Sequence, residues 1–230
     1  MKKITILVPV YNEEEVVEIF YKEIIKVINS IKNYRFEILF VNDGSKDNTL
    51  NLIKKMQKKD KIISYIDLSR NYGKEIAMAA GIDNVDADAM IIIDVDLQDP
   101  PELIVEMIKY FEEGYDDVYA KRKSREGESF FKKWTSKVFY KFLEKISKIP
   151  IQKDTGDFRL LSKKAISSLK QLRESQRYTK GLFSLIGFKK KEILFIRKPR
   201  AAGKTKWNYI QLTNLAVEGI TSFSIAPLKL

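Results

Sequence analysis

Two aspartates separated by one residue follow a run of apolar residues in the middle of the chain. Asp94 and Asp96 come directly after the apolar residues 90–93. Side chains at positions i and i+2 of an extended chain point to the same side, so the two carboxylates can share one hard cation. A bound diphosphate needs such a cation, because it gains negative charge as it departs. The alternative is a solvated acidic turn before a helix opened by Pro100 and Pro101. The surrounding sequence, Ile-Ile-Ile-Asp-Val-Asp-Leu-Gln-Asp-Pro-Pro-Glu, favours the cation site.

The composition restricts the chemistry further. The 230 residues include no Cys and no His, which excludes a thiolate or imidazole zinc site, a cysteine nucleophile and a serine–histidine triad. Any metal must therefore bind oxygen ligands, which favours Mg²⁺ or Mn²⁺, and any proton transfer falls to carboxylates. Forty-two Lys and Arg against 31 Asp and Glu give a net charge of +11. That charge favours an anionic partner such as a phosphate, a membrane surface or a nucleic acid.

Four short apolar runs supply the elements that must position these residues. Each run precedes a polar turn and a segment with helical spacing, which predicts an α/β fold with a Rossmann-like, mostly parallel sheet and helices on both faces. The runs are 4–10, 36–41, 62–68 and 89–94. Ligands of such sheets bind beyond the carboxyl ends of the strands. The polar clusters expected at that edge are 9–13, 42–47, 69–74 and 94–99.

Several of these strand ends have a second interpretation. Asp43 could accept hydrogen bonds from the N–H or hydroxyl groups of a nucleoside. It could equally belong to a turn before a helix capped by Asp47 or Asn48. Tyr11 could pack on a base or simply cover the sheet.

The second half of the chain gives weaker signals. Asp157 is predicted to lie in a Gly-containing turn, and residues 200–207 form a basic, Gly-containing loop that could close over phosphates, although it lacks the full P-loop pattern. Residues 129–148 predict an amphipathic helix with a cationic face, for which an ordinary surface helix and a helix in a membrane interface are about equally favoured. Residues 207–220 are a second candidate of this kind.

Five motifs in order resemble glycosyltransferase family 2. They are Val-Pro-Val-Tyr-Asn-Glu at 8–13, Val-Asn-Asp-Gly-Ser at 41–45, Leu-Ser-Arg-Asn-Tyr-Gly-Lys at 68–74, Asp-Val-Asp-Leu-Gln-Asp-Pro-Pro-Glu at 94–102 and Gly-Asp-Phe-Arg at 156–159. The chain is most similar to the polyprenyl-phosphate branch, which includes bactoprenol glucosyltransferases and dolichol-phosphate mannose synthases. The resemblance implies a GT-A fold and inverting transfer of a sugar from a nucleotide donor to a lipid phosphate. UDP-glucose is the expected donor, with UDP-N-acetylglucosamine, UDP-galactose and GDP-mannose left open.

The resemblance also implies a role for each matching residue. The residues expected to hold the nucleotide sugar are Pro9, Tyr11, Glu13, Asp43, Lys74, Asp94 and Asp96. The expected ligands of Mg²⁺ or Mn²⁺ are Asp94, Asp96 and Gln98. The expected catalytic group is Asp157, Asp96 and Arg122. The residues expected to receive the lipid phosphate or close over the donor are Arg122, Arg200 and Lys206. Because a phosphate monoester is already mostly dianionic at neutral pH, with a second pKa of ~6, Asp157 is expected chiefly to orient a substrate.

The predicted organisation is one catalytic domain over residues 1–206, which contains the interface helix 129–148, followed by an amphipathic, juxtamembrane segment 207–230. Bacterial relatives of the branch continue into two membrane helices, so we expect the sequence to stop before such helices and the full-length protein to be integral at the cytosolic face of the cell membrane. The alternative is a protein that binds the membrane only peripherally. The expected partners are a nucleotide sugar, a polyprenyl phosphate and an anionic membrane surface. Formation of a homo-oligomer is left open.

Three other functions compete with this one. A family 2 transferase could act on a soluble or polymeric acceptor such as a cell-wall glycan, which the two amphipathic segments disfavour. A nucleic-acid-binding module would fit the charge but leaves the acidic strand ends unexplained, so no nucleic acid partner is predicted. A non-catalytic sugar-nucleotide binder would bind the donor without turnover.

Overall fold

The computed structural model describes residues 1–123, 155–172 and 179–197. In these ranges the strands are β1 (Lys2–Val10), β2 (Tyr34–Asn42), β3 (Ile63–Asp67), β4 (Ala89–Ile92), β5 (Asp117–Arg122), β6 (Thr155–Ser162) and β7 (Lys190–Phe195). The helices are α1 (Val17–Asn29), α2 (Thr49–Lys59), α3 (Lys74–Asn84), α4 (Leu103–Glu112), α5 (Lys163–Gln171) and α6 (Thr179–Leu185). All four predicted strands are confirmed, as β1 to β4.

The described strands form one sheet in the order β3-β2-β1-β4-β6-β5-β7. Strand β1 pairs in parallel with β2 and β4, β2 pairs in parallel with β3, and β5 pairs in parallel with β7. Strand β6 runs antiparallel to both of its neighbours, β4 and β5. The sheet is therefore mostly parallel, as predicted, with one reversed strand inside it.

Two hydrophobic cores lie on opposite faces of the sheet. One face packs against α1, α2 and α4, through residues such as Phe20, Ile53 and Ile104. The other packs against α3, α5 and α6, through residues such as Met78 and Phe183. Because both faces are covered, β1, β2 and β4 are mostly apolar and buried, which is why continuous apolar runs marked them in the sequence, whereas the edge strand β3 buries only Ile63.

Strand β6 corrects one prediction. Asp157 does not lie in a Gly-containing turn, because the segment that begins at Thr155 is a strand paired with β4 and β5. Thr155 pairs with Lys121 and Arg159 with Tyr119, so pairing with β5 before and after Gly156 and Asp157 keeps this part of the chain extended, with an irregular register between the two pairs. Since β6 is reversed, its first residues lie at the edge where β4 and β5 end, and Asp157 is placed there.

Several predictions fall on residues outside the described ranges. They are the amphipathic helix 129–148, the segment 207–230, and the basic residues Arg200 and Lys206. Among the helices of the described ranges, none combines the length and the apolar character needed to span a lipid bilayer.

Candidate active site

The loops that follow β1 and β2 are joined by hydrogen bonds at the carboxyl edge of the sheet. The N–H of Asn12 donates to Oγ of Ser45 at 2.9 Å, and the N–H of Lys46 donates to Oδ1 of Asn12 at 2.7 Å. The N–H of Glu13 donates to Oγ1 of Thr49 at 2.7 Å. Asn12 has a φ of 51°, a left-handed conformation that Asn tolerates better than most residues. These bonds hold the β1 and β2 strand ends together.

Asp43 joins the end of β2 to the loop before α3. Its Oδ1 accepts from the N–H of Tyr72 at 2.7 Å and its Oδ2 from the N–H of Gly73 at 2.9 Å. The next residue, Gly44, has a φ of 63°, and a Cβ there would lie 2.6 Å from the N of Asn71. Only glycine permits this approach. Asp43 is only 3% exposed and already accepts two backbone N–H groups, so its role towards a nucleoside stays a prediction.

Lys74, the first residue of α3, connects two strand ends through its ammonium group. Its Nζ lies 2.6 Å from Oδ1 and 2.8 Å from Oδ2 of Asp94, and 2.6 Å from Oδ2 of Asp157. Burial alone would lower the pKa of Lys74, but the carboxylates of Asp157 and Asp94 outweigh it and raise the pKa. The ammonium is therefore a permanent cation between β4 and β6.

The turn after β4 presents the other oxygen ligands. Oδ1 of Asp96 accepts from the N–H of Gln98 at 3.1 Å, and Leu97 between them has a φ of 56°. Asp96 is 6% exposed, whereas the side chain of Asp94 is 31% exposed. A non-glycine residue in this conformation costs about 1–3 kcal/mol, and such strain is commonly kept at functional sites.

The donor set of this turn fits a hard divalent cation. Asp94, Asp96 and Gln98 offer only carboxylate and carboxamide oxygens, which Mg²⁺ and Mn²⁺ prefer. In the described part of the chain, no three acidic side chains converge closely enough to enclose a metal by themselves. Such a set suits a cation that takes its remaining ligands from a substrate phosphate.

Asp99 lies beside two arginines. A Cβ at Gly156 would be 3.6 Å from Oδ2 of Asp99 and 3.9 Å from an Nη of Arg122, so both side chains border the start of β6. Burial and then the charge of Asp94 raise the pKa of Asp99 to about 6, while Arg122 and Arg197 act in the opposite direction. Within the described ranges, Oδ1 of Asp99 and Nε of Arg122 are buried without a hydrogen-bond partner.

A buried ion pair supports β6 directly behind Asp157. Arg159 and Asp117 are both 0% exposed, and an Nη of Arg159 lies 3.1 Å from Oδ2 of Asp117. The guanidinium also lies 3.7 Å from the centre of the Phe183 ring in α6. Lys190 donates to the carbonyl of Phe183 at 2.7 Å, at the end of the same helix. Charged groups stay buried only when paired in this way, so the cluster fixes β5, β6, β7 and α6 together.

Glu75 ties α3 to α6. Its Oε2 accepts from the N–H of Thr179 at 3.0 Å and also from the hydroxyl of Thr179. This carboxylate at the first residue of α6 satisfies a backbone donor that the helix leaves unpaired. Tyr72, Gly73, Lys74 and Glu75 therefore contact the ends of β2, β4 and β6 and the start of α6.

The structure brings most of the predicted site residues to one edge. Those placed there are Pro9, Tyr11, Glu13, Asp43, Lys74, Asp94, Asp96, Gln98, Arg122 and Asp157. Sequence reasoning missed Arg197, Glu75 and the Arg159–Asp117 pair. Arg197 follows β7, and its charge acts on Arg122 and Asp99. Recognising β7 as a strand parallel to β5 would have placed Arg197 at the same edge.

The mostly parallel sheet with this acidic carboxyl edge has the GT-A fold, which solved glycosyltransferases share. A mannosyltransferase from Pyrobaculum calidifontis, solved with GDP-Man and Mn²⁺, shares the fold with a TM-score of 0.63 at 15% identity, over 96% of this chain and 64% of that protein. Mannosyl-3-phosphoglycerate synthase from Rubrobacter xylanophilus matches with a TM-score of 0.64 at 15% identity, over 96% of this chain and 72% of that one. The chain belongs to glycosyl transferase family 2, whose model matches residues 5–170.

Other proteins share a higher sequence identity with this chain than these solved structures do. An uncharacterised glycosyltransferase of Synechocystis is 47% identical over 99% of this chain and 71% of its own length. The bactoprenol glucosyl transferase of Shigella phage SfX is 43% identical over 99% of this chain and 74% of its own length. The match therefore covers the described site together with the residues outside it, and the chain is a glycosyltransferase.

Proposed function

We propose that the chain transfers one sugar from a nucleotide donor to a polyprenyl phosphate at the cytosolic membrane face, with glucose from UDP-glucose as the first choice. The observation that carries this proposal is the 43% identity to bactoprenol glucosyl transferase over nearly the whole chain. The basic side of the site supports an anionic acceptor. Arg122 and Arg197 lie together, and Nε of Arg122 is a buried donor without a partner among the described residues.

The proposed reaction joins two anions. An oxygen of the lipid phosphate forms a bond to the anomeric carbon on one face of the sugar, while the bond to the nucleoside diphosphate breaks on the other face. The configuration inverts, and the bonding electrons leave with the diphosphate. The main demand on the protein is to hold two negatively charged groups in line, and positioned cations lower their repulsion.

The residues of the site divide this task. Asp94, Asp96 and Gln98 would hold Mg²⁺ or Mn²⁺, which when bound supplies positive charge to the departing diphosphate. Asp157 would orient the acceptor or the sugar, since a dianionic phosphate needs no base. Arg122 would receive the lipid phosphate.

The remaining predicted residues complete the proposed substrate sites. The residues proposed to hold the nucleoside are Pro9, Tyr11, Glu13 and Asp43. The residues proposed to close over the donor or its phosphates are Arg200 and Lys206.

The test is a transfer assay with separated products. The protein is incubated with labelled UDP-glucose, UDP-N-acetylglucosamine, UDP-galactose or GDP-mannose, with Mg²⁺ or Mn²⁺ and with undecaprenyl phosphate, and is then extracted with organic solvent. Label in the organic phase that requires both the lipid and an intact Asp94–Asp96 pair supports the proposal. Label found only in water-soluble product would rule out the lipid acceptor, and donor binding without any transfer would rule out catalysis.

The matched control is an exposed aspartate at the opposite edge of the sheet, in the turn before β4 begins. Asp94→Asn with Asp96→Asn removes two carboxylates from the site, whereas Asp86→Asn removes an exposed one from the turn between α3 and β4. The double variant is expected to lose transfer, and Asp86→Asn to keep it. Equal loss in both would show that the assay reports general charge or folding instead of the site.

A further inference from the structure

The ammonium of Lys74 lies between the carboxylates of Asp94 and Asp157. Its Nζ contacts both oxygens of Asp94, at 2.6 and 2.8 Å, and one oxygen of Asp157 at 2.6 Å. Asp94 lies after β4 and Asp157 at the start of β6. A cation that bridges them offsets the repulsion between two carboxylates held close together.

We propose that Lys74 is the resident cation of the donor-free site, holding Asp94 against Asp157 until a divalent cation takes Asp94 and Lys74 turns to the diphosphate. Lys74 is thus a positioning residue that links cation binding at β4 to the carboxylate on β6. The inference rests on the proposed function in two respects, namely that Asp94 is a ligand of a divalent cation and that the donor carries a diphosphate.

The backbone around Lys74 makes this role practicable. Gly73 has a φ of 96°, and both Tyr72 and Gly73 donate to Asp43, so the chain is fixed up to the start of α3. From this fixed point the four-carbon stem of Lys74 can move its charge over a short distance. Because an ammonium has three N–H donors, releasing Asp94 frees donors for a phosphate oxygen while one stays on Asp157.

The partial exposure of the pair allows a divalent cation to replace the Lys74 ammonium at Asp94. The side chains of Lys74 and Asp94 are each 31% exposed. Partly exposed pairs of this kind are weak enough for a divalent cation to displace.

The experiment measures Mn²⁺ affinity without any nucleotide or lipid. Mn²⁺ is titrated into the donor-free wild-type protein, Lys74→Met and Arg122→Met, and free Mn²⁺ is followed by electron paramagnetic resonance. Removing the competing ammonium is expected to tighten Mn²⁺ binding by about tenfold in Lys74→Met. Arg122→Met also removes one positive charge from the site, but Arg122 acts on Asp99. Its effect is expected to be about twofold or less, because partly exposed charges act weakly beyond contact.

Several results would overturn the proposal. These are an unchanged, weaker or undetectable Mn²⁺ affinity in Lys74→Met, and an equal gain in Arg122→Met, which would indicate a general charge effect. A second measurement on the wild-type protein covers the case in which Lys74→Met does not fold. With ¹⁵N-labelled lysine, Mg²⁺ must shift the Nζ resonance of Lys74, which Lys74→Arg identifies by its absence. A resonance that ignores Mg²⁺ would refute the exchange.

Because neither measurement uses a nucleotide sugar or lipid, their failure leaves the proposed transfer reaction untouched. A negative transfer assay likewise leaves the Mn²⁺ result standing.

Discussion

The negative charge of Asp99 should lower the stability of the metal-free protein at neutral pH. Asp99 is 3% exposed and its Oδ1 has no hydrogen-bond partner in the described ranges. Its pKa is raised from 3.8 to about 6 by burial first and then by the charge of Asp94. Between these two pH values the folded protein binds a proton that the unfolded chain has lost. The contribution of Asp99 to stability therefore falls as the pH rises through this window.

The size of the effect follows from the pKa difference. Two pKa units at about 1.4 kcal/mol each give ~3 kcal/mol once the pH is well above 6. Asp99→Asn keeps the shape of the side chain and removes the charge. We expect this variant to raise the free energy of unfolding by up to ~3 kcal/mol at pH 7.5, and by only about 1 kcal/mol at pH 4.5, where the folded wild type is mostly protonated.

The assay is urea denaturation in EDTA at both pH values, since a bound cation would itself favour the charged carboxylate. Asp86→Asn, at an exposed aspartate, is the control and should change little at either pH. The reasoning fails if Asp99→Asn is no more stable than the wild type at pH 7.5. It also fails if the stability difference is the same at both pH values.

Three further predictions concern the contacts that hold the site in place. Gly44→Ala should destabilise the fold by about 1–3 kcal/mol and weaken donor binding by calorimetry, because its Cβ would enter the backbone of the loop before α3. Wild-type donor affinity in this variant would contradict the link. Arg159→Met should cost about 3–5 kcal/mol by urea denaturation, as it leaves the buried carboxylate of Asp117 unpaired. A loss below about 1 kcal/mol would show that the pair is dispensable. Thr179→Val should lower the free energy of unfolding by about 1–2 kcal/mol because the hydrogen bond to Glu75 is lost, whereas Thr179→Ser should be near wild type. Equal losses in the two variants would show that packing, and not the hydrogen bond, is the cause.

Much of the first half of the fold could be predicted because β1, β2 and β4 are buried on both faces. Strands β1 to β4 appear in the sequence as continuous apolar runs, and their polar ends coincide with the predicted site clusters. Strands β5 and β7 carry several charged residues, so they lack this signal. Asp157 was predicted as a site residue from its motif, but its place in a strand depended on the pairing of β6 with β5, which the local sequence does not show.

The supporting contacts could not be predicted, because they join residues far apart in the sequence. Arg159 and Asp117 are separated by 42 positions, and Glu75 and Thr179 by 104. Charged residues are rarely buried unless paired, so each of these residues alone suggests a solvated surface. Only the folded sheet shows that Arg159 supports the strand that carries Asp157.

The reversed direction of β6 limits how far the predicted helix 129–148 can lie from the ligand edge of the sheet. Strand β5 ends at the ligand edge at Arg122 and β6 starts there at Thr155, so the intervening residues leave from and return to that edge. The predicted helix 129–148 would begin six residues after Lys123, a tether of at most about 20 Å. A second tether leaves the same edge after Arg197, ten residues before position 207, and spans at most about 35 Å. A bilayer that held both predicted helices would therefore have to lie within a few tens of ångströms of Asp157, on the side of the protein where the sugar site opens.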